Sequence, residues 1–423
     1  MTKQMNVPKL RFGEFDVNWQ HYSIKETISA LVDCEHKTAP YVDAQDYMVV
    51  RTNNIKNGSL LMDDMKYTSK DGFDEWTKRA VPSFGDILFT REAPAGESCL
   101  VPKDTNLCLG QRMVLLQIDQ SVMNSVFISQ LLLSPKVQNT ISSYCIGSTV
   151  TRINIADINR IDFDIPTLPE QQKIASFLSK VDEKITLLTE KKAKLTEYKK
   201  GVMQQLFDGS FQEQDGKLVF VPPTLRFKAD DGSEFPDWEE KTFGDISDIK
   251  RGASPRPISD PKWFDANSNV GWVRISDVTR SGRELLKTEQ YLTEEGIKKS
   301  RLIPVGSMIM SICATIGKPI YTTFPVCIHD GFVVFSNLSV QSEYIYYYLV
   351  YIEKNWYRFG QPGSQVNLNT DIVGNEIVRV PSQEEQIKIV NFLSAIDQKI
   401  DLASSELEKV KEWKKGLLQQ MFV

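Results

Sequence analysis

The sequence has no long apolar run, few cysteines and few histidines, and each shortage argues against a class of protein. No stretch approaches the roughly 20 apolar residues of a membrane-spanning helix, and the amino-terminal MTKQMNVPKLRFGEF lacks the apolar segment of a secretory signal. We therefore expect a cytoplasmic protein. The six cysteines contain no C-x-x-C pair and no zinc-like spacing, so free thiols are expected. The three histidines are too scattered for a histidine-rich metal site, although a carboxylate-only site stays open and unsupported.

Signature motifs of enzymes are also missing. Asp260–Trp263 (DPKW) does not fit the Asn/Asp-Pro-Pro-Phe/Tyr motif of methyltransferases, Gly317–Lys318 lacks the rest of a phosphate-binding loop, and Phe207–Phe211 (FDGSF) resembles a cofactor loop only superficially. Nuclease carboxylate clusters are too degenerate to judge by eye. His329–Asp330 and Cys313 have no catalytic partner that the sequence can place beside them. We predict no catalytic residue, no metal and no cofactor in this chain.

What the sequence does contain is an internal repeat. Pro166–Phe207 and Pro381–Phe422 lie 215 residues apart and align without a gap, with 20 of 42 positions identical. Leu10-Arg11-Phe12 recurs at the same offset as Leu225-Arg226-Phe227. The chain is therefore two copies of one unit, each a globular lobe followed by a long helix. Two similar lobes suit a two-part ligand, and a DNA site with two half-sites is the leading candidate.

The lobes are related more loosely than the helices. Three pairs of segments correspond: Val50–Ile55 with Val273–Val278, Pro82–Gly96 with Pro304–Gly317, and Gly147–Ile158 with Gly363–Ile372. The segments between them diverge. Near-identical helices and divergent lobes suggest one common partner and two different ligands.

Local patterns predict a mixed α and β lobe. Short apolar runs at Tyr47–Arg51, Asp86–Thr90 and Arg112–Ile118 are typical of strands, because glycine and proline interrupt them. Val126–Ser134 is predicted as a helix that ends at Pro135. The segment 208–223 is rich in turn residues and is predicted to link the two units.

The repeated helices carry apolar positions at alternating steps of four and three, which is typical of a coiled-coil seam. The seam residues are Ile174, Leu178, Val181, Ile185, Leu188, Leu195, Val202 and Leu206, then Ile389, Leu393, Ile396, Ile400, Ala403, Leu407, Val410, Leu417 and Met421. Lys192, Lys199 and Lys414 interrupt it. If a pseudo-two-fold axis relates the units, the helices run antiparallel and form a semi-rigid rod. A rod of fixed length would require a fixed spacer between two half-sites.

These patterns predict an α+β fold with an internal pseudo-two-fold repeat. It would contain two mixed α/β recognition domains and two long helices in an antiparallel coiled coil. The predicted boundaries are 1–165 for the first recognition domain, 166–214 for the first helix and linker, 215–380 for the second recognition domain and 381–423 for the second helix.

Two motifs occur in both long helices. The signature P-x-x-x-E-Q-x-x-I followed by F-L-S-x-x-D-x-K-I occurs at Pro166–Ile185 and at Pro381–Ile400. The ending K-K-G-x-x-Q-Q-x-F occurs at Lys199–Phe207 and at Lys414–Phe422. In these motifs the chain resembles the specificity subunits of type I restriction–modification systems. The resemblance covers essentially the whole chain.

The resemblance implies a DNA-recognition subunit that is not itself an enzyme. Each lobe would read one half of a bipartite, asymmetric DNA site, and the helices would fix the spacer and dock two modification subunits. Those subunits would carry S-adenosylmethionine and methylate adenine. Restriction subunits, with ATP and magnesium, would cleave unmethylated DNA.

DNA contacts are predicted at polar and basic side chains in loops that the repeat preserves, since such side chains make base-edge and phosphate contacts. The net charge of −5 does not favour DNA binding, but a local basic face matters more. The candidates in lobe one are Arg51, Asn53, Thr90, Arg91, Gln111, Arg112, Ser148, Thr149 and Arg152. Those in lobe two are Lys250, Arg251, Arg256, Arg274, Ser276, Lys318, His329, Gln361, Ser364, Gln365 and Asn367.

Partner contacts are predicted on exposed helix faces, at polar positions that recur in both copies. These are Glu170, Gln171, Asp182, Lys200, Gln204 and Gln205, then Glu385, Gln386, Asp397, Lys415, Gln419 and Gln420. Two other functions stay open at this point: a self-contained nuclease or methyltransferase, and a purely structural coiled-coil adaptor.

Overall fold

The computed structural model describes residues 7–44, 46–147, 150–214, 217–221, 223, 225–360 and 367–423. The chain divides into two compact units: unit 1 is Met1–Glu190 with Ala403–Val423, and unit 2 is Lys191–Leu402. Each unit thus contains one lobe, the first part of one long helix and the last part of the other, so these units cut across the boundaries predicted from sequence. Within the described residues, no helix has the length and apolar character needed to cross a membrane.

Unit 1 is built from short strands, short helices and one end of each long helix. Its strands are β1 (Gln20–Ser23), β2 (Ile28–Asp33), β3 (Tyr47–Val50), β4 (Ile55–Lys56), β5 (Ser59–Leu60), β6 (Lys66–Thr68), β7 (Ile87–Thr90), β8 (Ser98–Leu100), β9 (Asn106–Leu109), β10 (Met113–Ile118) and β11 (Asp162–Ile165). Its helices are α1 (Ile24–Thr27), α2 (Lys70–Trp76), α3 (Ser125–Leu132), α4 (Pro135–Tyr144), α5 (Ile155–Ile158) and the long α6 (Leu168–Phe207), with a 3₁₀ turn at Thr52–Asn54.

Unit 2 repeats this plan with additions. Its strands are β12 (Ser210–Gln214), β13 (Lys217–Val221), β14 (Glu239–Thr242), β15 (Asp248–Arg251), β16 (Gly271–Val273), β17 (Glu284–Leu285), β18 (Gln290–Tyr291), β19 (Arg301–Ile303), β20 (Met308–Ser311), β21 (Pro319–Thr322), β22 (Val326–Ile328), β23 (Phe332–Ser336) and β24 (Ile377–Val380). Its helices are α7 (Phe243–Ile246), α8 (Ile275–Arg280), α9 (Glu294–Lys298), α10 (Ser342–Ile352), α11 (Thr370–Gly374) and the long α12 (Gln383–Met421), with 3₁₀ turns at Pro261–Trp263 and Glu353–Phe359.

The two lobes share one sheet topology. In unit 1 the main sheet has the order β2-β10-β7-β8, and in unit 2 the order is β15-β23-β20-β21, extended by β17. The parallel pair β3–β9 corresponds to the parallel pair β16–β22, and the two-stranded β1–β11 corresponds to β14–β24. The correspondences predicted from sequence therefore reflect a common framework, and the extra strands of unit 2 account for part of the divergence.

Most predicted elements are confirmed within two residues. Strands β3, β7 and β10 match the three predicted runs, and α3 matches the predicted helix but ends at Leu132, two residues early. Pro135 does end that helix, but it also occupies the first turn of α4, where its missing N–H costs nothing. The predicted linker contains secondary structure: β12 and β13 form an antiparallel hairpin inside it.

The coiled-coil seam is confirmed by burial and packing. In unit 1, Leu178 and Val181 of α6 share a hydrophobic cluster with Leu407 and Val410 of α12. In unit 2, Leu206 of α6 shares a cluster with the first part of α12, including Ile389, Leu393 and Ile396. The carboxyl-terminal part of each helix therefore packs on the amino-terminal part of the other, which is the antiparallel arrangement. The apolar stripes supply the driving force, because neither helix could bury its stripe alone.

A loop glycine of unit 2 combines a positive φ with close packing against a buried tryptophan. Gly317 has φ of 80°, and its amide donates to the Ser311 carbonyl as that of Gly96 donates to Thr90 in unit 1. A Cβ on Gly317 would lie 2.2 Å from Cδ1 of the buried Trp356, whereas one on Gly306, with φ of 81°, meets nothing within 4 Å.

We expect Gly317→Ala to lower the free energy of unfolding of unit 2 by about 3 kcal/mol, since backbone strain and overlap with the indole add together. Gly306→Ala should cost only about 1 kcal/mol, from backbone strain alone. Urea unfolding of the two variants measures the difference. Equal losses would contradict a tight packing role for Gly317.

Candidate nucleic-acid interface

In unit 1, polar residues collect at one edge of the main sheet. Strand β10 is antiparallel to both β2 and β7, with Val114 opposite Asp33 and Met113 opposite Thr90. The ends of β2 and β7 therefore lie beside the start of β10. We call this edge the unit-1 rim; it consists of Asp33–His36, Arg91–Ala95, Gln111, Arg112 and Arg152. Isolated bridges from Arg152 to Glu92 and Ile146 bring the last of these residues to the rim.

Arg91 lies at the centre of the unit-1 rim and is held there. Its Nη1 donates to Oδ1 and Oδ2 of Asp33 at 3.0 and 3.2 Å, and its backbone amide donates to the Arg112 carbonyl at 2.8 Å. His36 Nε2 lies 2.8 Å from the same carboxylate. The guanidinium is mostly buried, so Arg91 shapes the rim at least as much as it is available to a ligand.

Arg112 and Arg152 are the exposed cations of the unit-1 rim. Arg112 has φ of 67°, in the left-handed region, and its Nε lies 3.2 Å from Glu92 Oε2. A surface pair of this kind contributes little to stability, so the arginine can exchange its carboxylate for a phosphate at small cost. Gln111 is also exposed, and its amide donates to the His36 carbonyl at 3.3 Å.

The other lobe-one candidates occupy different environments. Thr90 is fully buried, and its Oγ1 accepts from the Glu97 amide at 3.0 Å, so its predicted exposure is wrong. Arg51 is half-buried and donates to Asp64 Oδ2 at 2.9 Å, while Asn53 is exposed. Ser148 and Thr149 lie outside the described residues.

The unit-2 rim is built at the equivalent edge but is centred on a different residue. We define it as Arg251–Arg256, Ile312–Lys318, His329–Gly331 and Arg274. Asp330 accepts from Arg251 Nε at its carbonyl, at 2.6 Å, and from Ser254 Oγ and Arg256 Nη2 at its carboxylate, at 3.0 and 3.1 Å. Burial alone would raise the pKa of Asp330, but hydrogen bonds from Ser254 and from its own backbone, together with the Arg256 charge, lower it. Asp330 thus gathers two arginines on an exposed edge, Arg256 through its carboxylate and Arg251 through its carbonyl.

His329 is mostly buried and packs against residues that form this edge. Its Nδ1 accepts from the Gly331 amide at 2.8 Å, and its ring lies 4.8 Å from that of Phe332 and 5.8 Å from that of Trp272. Burial lowers the pKa of His329, so the ring is neutral at pH 7. Burial also raises the pKa of the neighbouring Cys313 thiol, which opposes thiolate formation. These environments suit packing and hydrogen bonding.

The remaining lobe-two candidates are distributed around the rim. Lys318 is half-buried, and its ammonium donates to the carbonyls of Thr279 and Ser281 at 3.2 and 3.0 Å. Desolvation lowers the pKa of Lys318. Arg274 follows β16, is exposed and donates to Gln290 Oε1. The others that the structure describes are Lys250 and Asn367, which are exposed, and Ser276, which is half-buried. Gln361, Ser364 and Gln365 lie outside the described residues.

Two arginines that contact the rims were not predicted from the sequence. Arg79 Nη1 donates to the carbonyls of Asp33 and Cys34 at 3.1 and 3.3 Å, and Arg301 Nε donates to the Arg251 carbonyl. Neither belongs to a segment that corresponds between the lobes. Each donates to a backbone carbonyl that only the fold brings near, so the sequence carried no signal for it.

Asp33, Cys34 and His36 also form a group of possible metal ligands that the cysteine spacing did not suggest. One ligand atom from each lies within 4.8 Å of the others. Asp33 is already paired with the Arg91 guanidinium, and a cation would have to displace or tolerate that positive charge. The arrangement therefore favours a hydrogen-bonded rim.

Comparison with known proteins decides the family. The model of the type I restriction modification DNA specificity domain matches residues 17–197 and again residues 236–412. The chain belongs to this family. It is a type I specificity subunit with two copies of the specificity domain, and its general role is to supply the sequence specificity of a restriction–modification system.

Similar proteins span the same length. The MjaX specificity subunit of Methanocaldococcus jannaschii is 24% identical over 439 residues, which cover 98% of this chain and 95% of that protein. The MjaVIII specificity subunit of the same organism is 24% identical over 366 residues, 81% of this chain and 79% of that protein. The crystal structure of the S subunit from M. genitalium matches the fold with a TM-score of 0.57 at 18% identity, over 99% of both chains.

The specificity subunit uses several predicted partner residues inside its own fold. Glu170 and Glu385 are buried and accept hydrogen bonds from Arg11 and Arg226, respectively. Gln171 and Gln386 are buried too, and each donates to the carbonyl of the proline that precedes its helix. The predicted exposure of these four residues is wrong, because the lobe covers the first turns of each helix.

Asp182 and Asp397 are likewise engaged within the subunit, through ion pairs with Lys414 and Lys199 at 2.6 Å. Their carboxylates are 36% and 23% exposed, respectively, so each still faces partly outward. The exposed predicted residues are Lys200, Gln204, Gln205, Lys415, Gln419 and Gln420.

Exposed apolar side chains on the long helices were overlooked. Leu187 recurs as Leu402 and Tyr198 recurs as Trp413, each at the 215-residue offset, and all four are at least half exposed. Trp413 packs edge-on against Phe177 with a centroid distance of 6.0 Å. The sequence signal was present, because these apolar residues recur at the same offset as the polar ones.

Proposed function

We propose that each lobe of this specificity subunit reads one half of a split, asymmetric DNA site with a fixed spacer. The observation that carries this proposal is that two lobes with one framework present chemically different rims. Arg91 of the unit-1 rim is replaced by Ile312 at the equivalent position after β20, and Gln111–Arg112 is replaced by Asp330–Gly331 before β23. Different donors and acceptors at equivalent positions suit different base sequences.

The partners would supply the chemistry. We propose that two modification subunits with S-adenosylmethionine methylate adenine at the site, and that restriction subunits with ATP and magnesium act on unmethylated DNA. In this scheme the candidate rim residues contact DNA, and the exposed polar and apolar residues of the long helices contact the modification subunits.

Single-molecule methylation sequencing tests this function. DNA from cells with the modification subunit should carry N6-methyladenine at a split motif with one spacer length, and the mark should disappear when this gene is deleted. If the modification subunit is present and bound but no mark depends on this gene, the proposal fails. A purified chain that methylates or cleaves DNA alone would favour an enzyme.

The recurring exposed side chains make a separate prediction about docking. We expect Trp413→Ala to weaken association with the modification subunit by about tenfold or more, since exposed aromatic anchors dominate interface energies. Leu286→Ala is the control, because Leu286 is exposed in lobe two and does not recur. Mass photometry of mixtures at graded concentration measures both. Equal affinity of the two variants would exclude Trp413 from the interface.

A further inference from the structure

Two partly buried carboxylates each connect three separate elements. In unit 1, Asp182 of α6 lies with Oδ1 2.6 Å from Lys414 Nζ of α12, and its Oδ2 accepts from Gln130 Nε2 of α3 at 2.8 Å. The lysine is 14% exposed and Gln130 is 7% exposed. One side chain thus joins both long helices and the lobe. We call this arrangement the unit-1 junction.

The unit-2 junction repeats the arrangement with a different lobe donor. Asp397 of α12 lies with Oδ1 2.6 Å from Lys199 Nζ of α6, and its Oδ2 accepts from Tyr347 Oη of α10 at 2.8 Å. The ammonium also lies 5.0 Å from the centre of the Tyr347 ring. Gln130 in one lobe and Tyr347 in the other therefore donate equivalent hydrogen bonds to the junction carboxylate, from equivalent positions.

Both lysines interrupt the apolar seam, and their pairing selects one helix register. Lys199 follows Asp182 by 17 positions on α6, and Lys414 follows Asp397 by 17 positions on α12, so one antiparallel register satisfies both pairs. A slip of one heptad would place Leu407 or Met421 opposite Asp182. An apolar seam tolerates such a slip, but an unpaired buried charge opposes it.

The unit-2 junction also extends into the lobe toward its rim. Arg283 Nη1 donates to Tyr347 Oη at 3.3 Å, and its guanidinium lies 5.4 Å and 5.0 Å from the rings of Tyr321 and Tyr346. Two residues earlier, the Ser281 carbonyl accepts from Lys318 of the rim. A continuous set of contacts therefore runs from the helix seam to the predicted DNA-contacting edge.

We propose that Asp182 and Asp397 are positioning residues for DNA recognition. Each selects the register of α6 against α12. Through Gln130 or Tyr347, each also fixes the position of its lobe on the helices of its own unit. The inference rests on the proposed function, because its consequence is strict discrimination of spacer length. Without the junction the lobe can take more than one position on the helices, and DNA with a spacer one base pair longer or shorter is then recognised and methylated.

The test uses the full complex with its modification subunit and duplexes that carry the native motif with the native spacer or with one base pair more or less. Tyr347→Phe removes only the hydroxyl that Asp397 accepts, and Asp397→Asn removes the charge. Tyr348→Phe is the matched control, since Tyr348 is buried on the same helix and donates to the Ile377 carbonyl within the lobe.

The measured quantity is the methylation rate with the native spacer divided by the rate with an altered spacer. We expect both junction variants to lower this ratio by about tenfold, because a hydrogen bond to a charged group typically supplies a factor of this size. Tyr348→Phe should keep the wild-type ratio. Ratios within about twofold of wild type in both junction variants would overturn the proposal, as would an equal loss in Tyr348→Phe.

A second measurement is independent of DNA. Thermal unfolding of Lys199→Met, Asp397→Asn and the double variant forms a double-mutant cycle. Coupled effects are expected, and strictly additive effects would overturn the junction. A wild-type complex that methylates no split motif counts against the proposed function, whereas the cycle still decides the junction.

Discussion

Replacement of Arg226 by leucine should lower the free energy of unfolding of unit 2 by about 3 kcal/mol or more, because it leaves a buried carboxylate without its cation. Glu385 has 0% side-chain exposure and accepts from Arg226 Nε and Nη2 at 3.2 and 2.8 Å and from Trp238 Nε1 at 3.0 Å. The hydrogen bond to Glu385 raises the pKa of Arg226, so the guanidinium stays charged at neutral pH. Urea or thermal unfolding measures the loss.

The double variant separates charge from packing. Adding Glu385→Gln to Arg226→Leu replaces the orphaned charge by a neutral amide and should recover a substantial part of the lost stability. Arg256→Leu is the matched control, since Arg256 is 73% exposed and pairs only at the surface with Asp330. If Arg226→Leu and Arg256→Leu cost the same, the buried pair is not a stabilising anchor.

Removal of the exposed guanidinium groups of the unit-2 rim should nearly abolish recognition of one half-site. For the triple variant Arg251→Ala, Arg256→Ala and Arg274→Ala we expect about a 100-fold weaker affinity for the native site, because phosphate and base contacts are lost together. The slope of log K against log salt should fall by up to about 2.7, since each phosphate contact contributes about 0.9. Fluorescence anisotropy of the assembled complex at several salt concentrations measures both quantities.

A control with the same loss of charge is available in the same unit. Lys228 and Arg358 are exposed, Lys241 is half-exposed, and all three lie outside the rim, each in an ion pair with a glutamate. Their replacement by alanine should leave affinity and salt slope close to those of the wild type. If this control and the rim variant weaken binding equally, the effect is one of net charge, and the rim is not the contact surface.

The entrance to each lobe shows how far the repeat could be interpreted without a structure. The recurrence of Arg11 as Arg226 was visible in the sequence, but its purpose was not. In the fold, the arginine reaches across 159 residues to the buried glutamate in the first turns of the long helix, with a tryptophan as second donor. The partner of a charged residue at this distance is set by how the chain closes, which no local pattern encodes.

The recurring polar residues of the helices illustrate the opposite error. Glu170, Gln171 and Asp182 lie off the apolar seam, and the helical period therefore assigned them to solvent. In the structure the lobe covers a second face of the same helix, so Glu170 and Gln171 are enclosed between the seam and the lobe, and the partly exposed Asp182 accepts from the lobe residue Gln130. Periodicity identifies the face that packs on another helix, and it carries no information about a second covering layer.

The sequence by itself determined the repeat, the family, the lobe–helix order and the seam, because these depend on periodic apolar positions and on motifs contiguous in the chain. Only the tertiary structure decided which polar residues are internal, that Lys199 and Lys414 pair with Asp397 and Asp182, and that the two rims are centred on different residues. The physical reason is that a charge is stabilised by whichever group lies within about 3 Å of it, and across 198 or 232 residues only the closed fold determines that neighbour.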